Sequence, residues 1–163
     1  MKTSKTQGSP KTFKRNDSLG AIQEPVYQYV SGNVLEQYLS DKFFLFQAIS
    51  QGLPYKVFEG IRQFTGITDQ EWANILDMSL KSLYRYKQSE KKFKSIHSEK
   101  ILEVAEASQE GMKFFGSLSF YLQWLHQPSM ALGGLKPIQL LSSSYGKDMV
   151  VAELQRMQSG VFA

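Results

Sequence analysis

The stretch from Thr68 to Gln88, TDQEWANILDMSLKSLYRYKQ, constrains this chain most, because its spacing suits two short helices joined by a tight turn. Thr68 can cap the first helix. Glu71, three residues on, can complete a capping box, in which each side chain satisfies the other's free backbone N–H. Trp72, Ala73 and Leu76 make one apolar stripe at helical spacing, and Ala73 is small where a second helix must approach closely. The stripe breaks at Asp77-Met78-Ser79. Glycine is the common residue at the first turn position; Asp77 suits it because aspartate tolerates left-handed backbone better than most residues with a Cβ. Ser79 can cap the second helix. There Leu83 faces inward and Tyr86 partly so, which turns Lys81, Ser82, Tyr84, Arg85 and Gln88 outward. A helix-turn-helix built this way lays the N-terminal residues of its second helix against base edges in the major groove of DNA.

Charge points the same way. Between Ser79 and Lys94 stand Lys81, Arg85, Lys87, Lys91, Lys92 and Lys94 against one acid, Glu90. That window carries +5 in a chain of net charge +4, so the remainder sums to −1. Basic residues gathered on a DNA-reading helix and the segment after it suit phosphate contact. A solvated lysine-rich loop would carry the same charge, so the charge adds to the motif without replacing it. The candidate DNA contacts are Lys81, Ser82, Tyr84, Arg85, Lys87 and Gln88.

Other chemistry finds little support. The chain has no cysteine, which removes disulfides, thiolate metal sites and a cysteine nucleophile, and fits a reducing cytoplasm. Apolar runs such as Phe43–Phe46 reach four residues, far below the roughly 20 needed to span a bilayer. The N-terminal lysines are not followed by the apolar core of a secretory signal. His97 and His126 flank expected helices without a partner at metal-ligand spacing, and read as surface or capping residues. Gly133-Gly134 lacks the phosphate-binding pattern of a P-loop. Glu99, Glu103, Glu106 and Glu110 recur at helical spacing as an exposed acidic face, and Ser142-Ser143-Ser144 reads as a loop and cap. Neither enzymatic activity, a metal nor a cofactor is expected.

Along the chain, residues 1–25 form a polar, basic tail expected to be disordered. Residues 26–97 are expected to hold the helix-turn-helix domain and residues 98–163 a helical second half. The expected helices carry Val34 to Leu39, Phe43 to Ile49, and Val57 to Phe64, the last opened by Pro54 and ended by Gly66. Ser98 is expected to cap a long helix through Phe115. A short helix from Leu118 to Leu125 follows, then a turn opened by Pro137, and a last helix from Tyr145 to Gln158 closed by Gly160 in left-handed geometry. The reading is all-α: a helix-turn-helix bundle followed by a small helical domain.

The second half then carries a resemblance. Trp124-Leu125, Pro128, Ala131-Leu132-Gly133-Gly134, Pro137, Leu140-Leu141, Gly146, Val150, Leu154 and the terminal Gly160-Val161-Phe162-Ala163 resemble the toxin-binding domain of the Xre/MbcA/ParS antitoxins. Gly52-Leu53-Pro54 and the run Ser79, Lys81-Ser82-Leu83, Arg85 are similar to elements of the same family. Asp77 and Tyr86 depart from its pattern, which bears on the operator sequence. The resemblance implies an antitoxin of a type II pair whose partner is a RES-domain toxin that consumes NAD. NAD would then be the toxin's substrate and not a cofactor of this chain. It further implies a homodimer that represses its own operon on operator DNA. The toxin-contacting residues it implies are Gly133, Gly134, Arg156, Gly160, Val161, Phe162 and Ala163. Apart from the family, two apolar residues and a carboxylate beyond Gly160 form a projecting plug, unless Val161 and Phe162 fold back on their own core. The competing reading is a one-component transcription regulator whose second half senses a small molecule; a roomy apolar pocket would mark it.

Overall fold

The computed structural model describes residue 39, residues 41–89 and residues 91–160. The tail 1–25, the helix expected through Val34 and Tyr38 except for Leu39, and Val161-Phe162-Ala163 lie outside the described residues. Leu39 itself is helical and buried. The elements that follow are α1 Lys42–Gln51, α2 Tyr55–Thr65, α3 Asp69–Ile75, α4 Leu80–Ser89, α5 Ser95–Phe115, α6 Leu118–Leu125, a 3-10 turn Met130–Leu132, α7 Pro137–Leu140 and α8 Ser144–Gln158. Among the described residues there is no strand beyond one isolated bridge between Ser129 and Leu135. The all-α reading holds. No helix among these residues is long and apolar enough to cross a membrane.

Local chemistry fixes most boundaries. The Asp41 carboxylate accepts from the N–H groups of Phe43 and Phe44 at 3.0 and 3.1 Å and so starts α1. That helix ends at Gly52, with φ 78°, where a Cβ would run into the backbone carbonyl of Phe93; only glycine fits. Pro54 stands just outside α2 as its N-cap, one residue earlier than the first-turn place expected for it. Thr68 and Glu71 form the full capping box of α3. Asp77 takes φ 50°, the one positive φ outside glycine among the described residues. Ser79 caps α4 by accepting from the Ser82 N–H at 3.1 Å.

The long helix α5 is the axis of the molecule. It touches α1, α2, α6 and α8. Its buried residues, Ser98, Ile101, Leu102, Val104, Ala105, Ala107, Ser108 and Gly111, surround most of its circumference, as a central helix requires. Ser98 does not cap it. The helix starts earlier, at Ser95, with Lys94 as N-cap. Ser98 lies buried in the first turn, where its hydroxyl donates to the Lys94 carbonyl at 3.0 Å and accepts from the Leu53 N–H at 2.9 Å. The tertiary partner Leu53 holds it there. The boundary expected between residues 97 and 98 falls inside this turn, on a helix shared by both halves. The acidic residues of α5 are less bare than expected: Glu103 pairs with Lys100 at 2.6 Å, Glu110 with Lys113 at 3.3 Å, and Glu106 lies 4.0 Å from Lys42.

One core runs through both halves. On the helix-turn-helix side Phe58, Trp72, Leu83 and Phe93 are buried, with Phe58 edge-on to Trp72 at 5.2 Å. On the other side Tyr121, Leu125, Leu141, Val150 and Leu154 have no exposure at all.

Candidate functional site

The predicted site residues that lie among the described residues gather on two surfaces. The first is the outer face of α4. Its core side is pinned by Leu83, 1% exposed, and by Tyr86, which stacks on Phe93 with ring centroids 4.2 Å apart. Phe93 is tied to Leu53 by a 2.8 Å backbone hydrogen bond. This anchor pulls the basic segment Lys91-Lys92 and Lys94 back beside α4. An open groove results, lined by Ser82, Arg85, Gln88, Lys91 and Lys94 among others.

Lys81, Tyr84, Arg85, Lys87 and Gln88 are exposed, as the pattern requires. Ser82 is half-buried, and its hydroxyl lies 2.9 Å from that of Ser79, so it belongs to the cap as much as to the outer face. Tyr84 donates to Asp69 at 3.3 Å, and Asp69 pairs with Arg62 at 3.2 Å. Lys87 lies 3.9 Å from Glu59. An exposed pair at that distance is worth little, so Lys87 can exchange Glu59 for a phosphate.

The second surface joins the Gly133-Gly134 loop to α8. Ser129 N–H donates to the Leu135 carbonyl at 3.0 Å and Gly134 N–H to the Ser129 carbonyl at 2.8 Å, which closes the loop. Gly133 and Gly134 have φ of 69° and 78°, with open space where each Cβ would stand. Their role in the loop is thus the left-handed turn and not close packing. The turn leaves Met130 91% exposed and Leu135 45% exposed.

Helix α8 packs against this loop. Ser143 caps it, accepting from Gly146 N–H at 3.0 Å, and Gly160 ends it at φ 72°. Tyr145, Met149, Ala152 and Arg156 recur at four-, three- and four-residue spacing, which places them on one face. Tyr145 is 87% exposed and Met149 47%. Arg156 is held by two hydrogen bonds to the Glu153 carboxylate, at 2.8 and 2.6 Å. Met130, Leu135, Tyr145 and Met149 escaped the sequence reading; the packed register of α8 is Val150, Val151, Leu154 and Met157. The available signal was Tyr145 and Met149, apolar one turn apart and off that register.

A third contact joins the two halves. His126, the C-cap of α6, reaches the Leu122 carbonyl through Nδ1 at 2.6 Å and a Glu71 carboxylate oxygen through Nε2 at 2.5 Å. The sequence gives no local sign of it, since the partners stand 55 residues apart.

Residues 113–160 match the family described as the antitoxin Xre/MbcA/ParS C-terminal toxin-binding domain, and residues 45–106 match the antitoxin Xre-like helix-turn-helix domain. The chain belongs to the Xre/MbcA/ParS antitoxin family. A protein of Sphingobium sp. (strain YBL2) named Prs ADP-ribosylating antitoxin is 43% identical over 49 residues, which are 30% of this chain and 31% of that protein. The match thus spans about a third of that relative's length. Among solved structures, a chain of the M. tuberculosis MbcT-MbcA toxin-antitoxin complex is similar with a TM-score of 0.54 at 22% identity, covering 65% of this chain and 94% of that one. At that identity the likeness is one of fold. The two family matches fall on the two surfaces: one includes α4, the other the glycine loop and α8.

Proposed function

We propose that this protein is the antitoxin of a type II toxin–antitoxin pair, which neutralises its toxin by direct contact and represses its own operon by binding operator DNA as a cytoplasmic homodimer. The observation that carries the reading is the apolar surface of the half that matches a toxin-binding domain. Met130, Leu135, Tyr145 and Met149 stand exposed around a closed loop and the helix beside it. Fully burying one such side chain against a partner stabilises by about 1.5–3 kcal/mol, so a few suffice to anchor a complex. Val161-Phe162-Ala163 is the proposed plug at the toxin's active-site entrance; Gly133, Gly134, Arg156 and Gly160 complete the contact.

The proposed toxin is of the RES type and consumes NAD. The Sphingobium relative's name couples an antitoxin to ADP-ribosylation, a reaction in which NAD donates the ADP-ribose. The open groove described lies on the helix-turn-helix, and the interior of the second half is filled by Tyr121, Leu125, Leu141, Val150 and Leu154. No specific observation favours a ligand sensor.

The test pairs the purified chain with the product of the neighbouring gene. Wild-type protein is expected to stop NAD loss at equal stoichiometry. A chain lacking Val161-Phe162-Ala163 is expected to keep its helical circular dichroism and DNA binding while NAD loss resumes. Full protection by the truncated chain would remove the plug and leave the loop and α8 as the interface. NAD loss unaffected by the wild-type chain would overturn the reading of the toxin.

A further inference from the structure

Glu71 serves two elements at once. One carboxylate oxygen accepts from the Thr68 N–H at 2.9 Å and from its hydroxyl at 2.7 Å, closing the cap of α3. The other meets His126 Nε2 at 2.5 Å. His126 Nδ1 meets the Leu122 carbonyl, which can only accept. Two acceptors on the two ring nitrogens require both to carry hydrogen, so the geometry selects the imidazolium. Beside this contact, α6 packs on the turn between α2 and α3: a Cβ at Gly66 would come within 2.9 Å of Leu122 and 3.3 Å of Leu118. His126 also stands at the mouth of the loop that carries Gly133-Gly134, and α3 packs on the DNA-reading helix α4.

We infer that Glu71 and His126 form a proton-dependent clasp by which the toxin-binding half sets the position of the DNA-reading helix, so that DNA affinity falls as the imidazolium loses its proton. The inference rests on the DNA reading above and adds a regulation to it. The charges that reach the imidazole are Glu71, from α3, and Lys136, from the loop before α7; Thr68 contributes only hydrogen bonds to Glu71. The Glu71 hydrogen bond raises the pKa of His126 above its ordinary 6.5, against burial and Lys136, which lower it. Burial raises the pKa of Glu71, but hydrogen bonds from Thr68 and His126 outweigh it and hold the carboxyl below its ordinary 4.5. The signs define a window. The histidine's contribution is complete below pH 6.5 and is lost as pH rises through its raised pKa. The carboxylate's is present above pH 4.5 and is lost as pH falls through its lowered pKa. His97, the other histidine, has its pKa lowered by burial and Lys94, so its titration shifts in the direction opposite to that of His126.

Two variants of the full chain isolate the clasp. Glu71→Gln keeps a residue able to close the capping box and removes the charge. His126→Gln removes the titration. Each is followed with the wild type from pH 6 to 8 at constant ionic strength, by NMR titration of the imidazole and by fluorescence anisotropy on a labelled duplex from upstream of this chain's own gene. In the wild type the imidazole is expected to titrate above the ordinary value, with affinity falling about fivefold across the same pH range. Both variants are expected to bind with flat pH dependence, and in Glu71→Gln the His126 titration is expected to move down. A wild-type imidazole titrating at the ordinary value, or a fall in affinity that persists in both variants, overturns the inference. A duplex bound at no pH overturns the DNA reading and the regulation with it, while a raised imidazole titration would still support the contact between halves.

Discussion

On the proposed DNA-binding reading, single side chains on α4 divide into those that would read bases and those that would hold phosphates. Arg85 is exposed and lines the groove, so Arg85→Ala is expected to weaken operator binding by about 1–3 kcal/mol while leaving nonspecific DNA nearly unchanged. Lys87 stands further along the helix with only a 3.9 Å tie to Glu59. Lys87→Ala is expected to weaken all sequences alike and to flatten the dependence of affinity on salt. Anisotropy on operator and scrambled duplexes across a salt series separates the two, and identical profiles for both variants would remove the distinction. Inside the molecule the sharpest single-residue constraint is Gly111. A Cβ there would strike the ring of Tyr121, which is fully buried and bonded to Ser108 at 3.1 Å. Alanine is the better helix former by about 1 kcal/mol, yet overpacking costs typically 1–3 kcal/mol. Gly111→Ala is therefore expected to lower the thermal midpoint; an unchanged or higher midpoint would show that Tyr121 moves aside at no cost.

At the scale of helices, legibility follows the range of the interaction. The α3 cap, the Asp77 turn, the left-handed glycines at 66, 116 and 160 and the Pro137 start are set within a few residues, so the sequence displays them. The start of α5 is set from outside: Ser98 looks like a cap but is occupied by Leu53, 45 residues away. The Glu71–His126 contact and the exposed row on α8 were hidden for the same reason, since each depends on which helix faces come together. Ser98→Ala tests the α5 junction. It leaves the Leu53 N–H buried without an acceptor, which is expected to cost about 1–3 kcal/mol in chemical denaturation. A change under about 0.5 kcal/mol, the range of an ordinary surface substitution, would show that the hydroxyl contributes little.

Over the whole molecule, α5 holds two different surfaces on one body. The α4 side is cationic and suits a partner recognised through phosphates and base edges. The α8 side presents Met130, Leu135, Tyr145 and Met149 and suits a partner with an apolar pocket. If the surfaces serve separate partners, substitutions on one leave the other intact. Tyr145→Glu with Met149→Glu places two charges where a toxin would have to desolvate them, at several kcal/mol of lost affinity. Both residues point away from the packed face of α8, whose buried members are Gly146, Val150, Glu153 and Leu154, so folding should not suffer. The double variant is expected to bind operator DNA like wild type, at two half-sites about 34 Å apart if the chain dimerises. It is also expected to fail to protect cells that express the toxin. Arg85→Ala is expected to do the reverse: full protection with a derepressed operon. This double dissociation also bears on the sensor reading, because a regulator without a toxin would lose nothing when the α8 row is charged. Protection retained by the Tyr145→Glu, Met149→Glu chain would move the toxin contact off this face and onto the segment beyond Gly160.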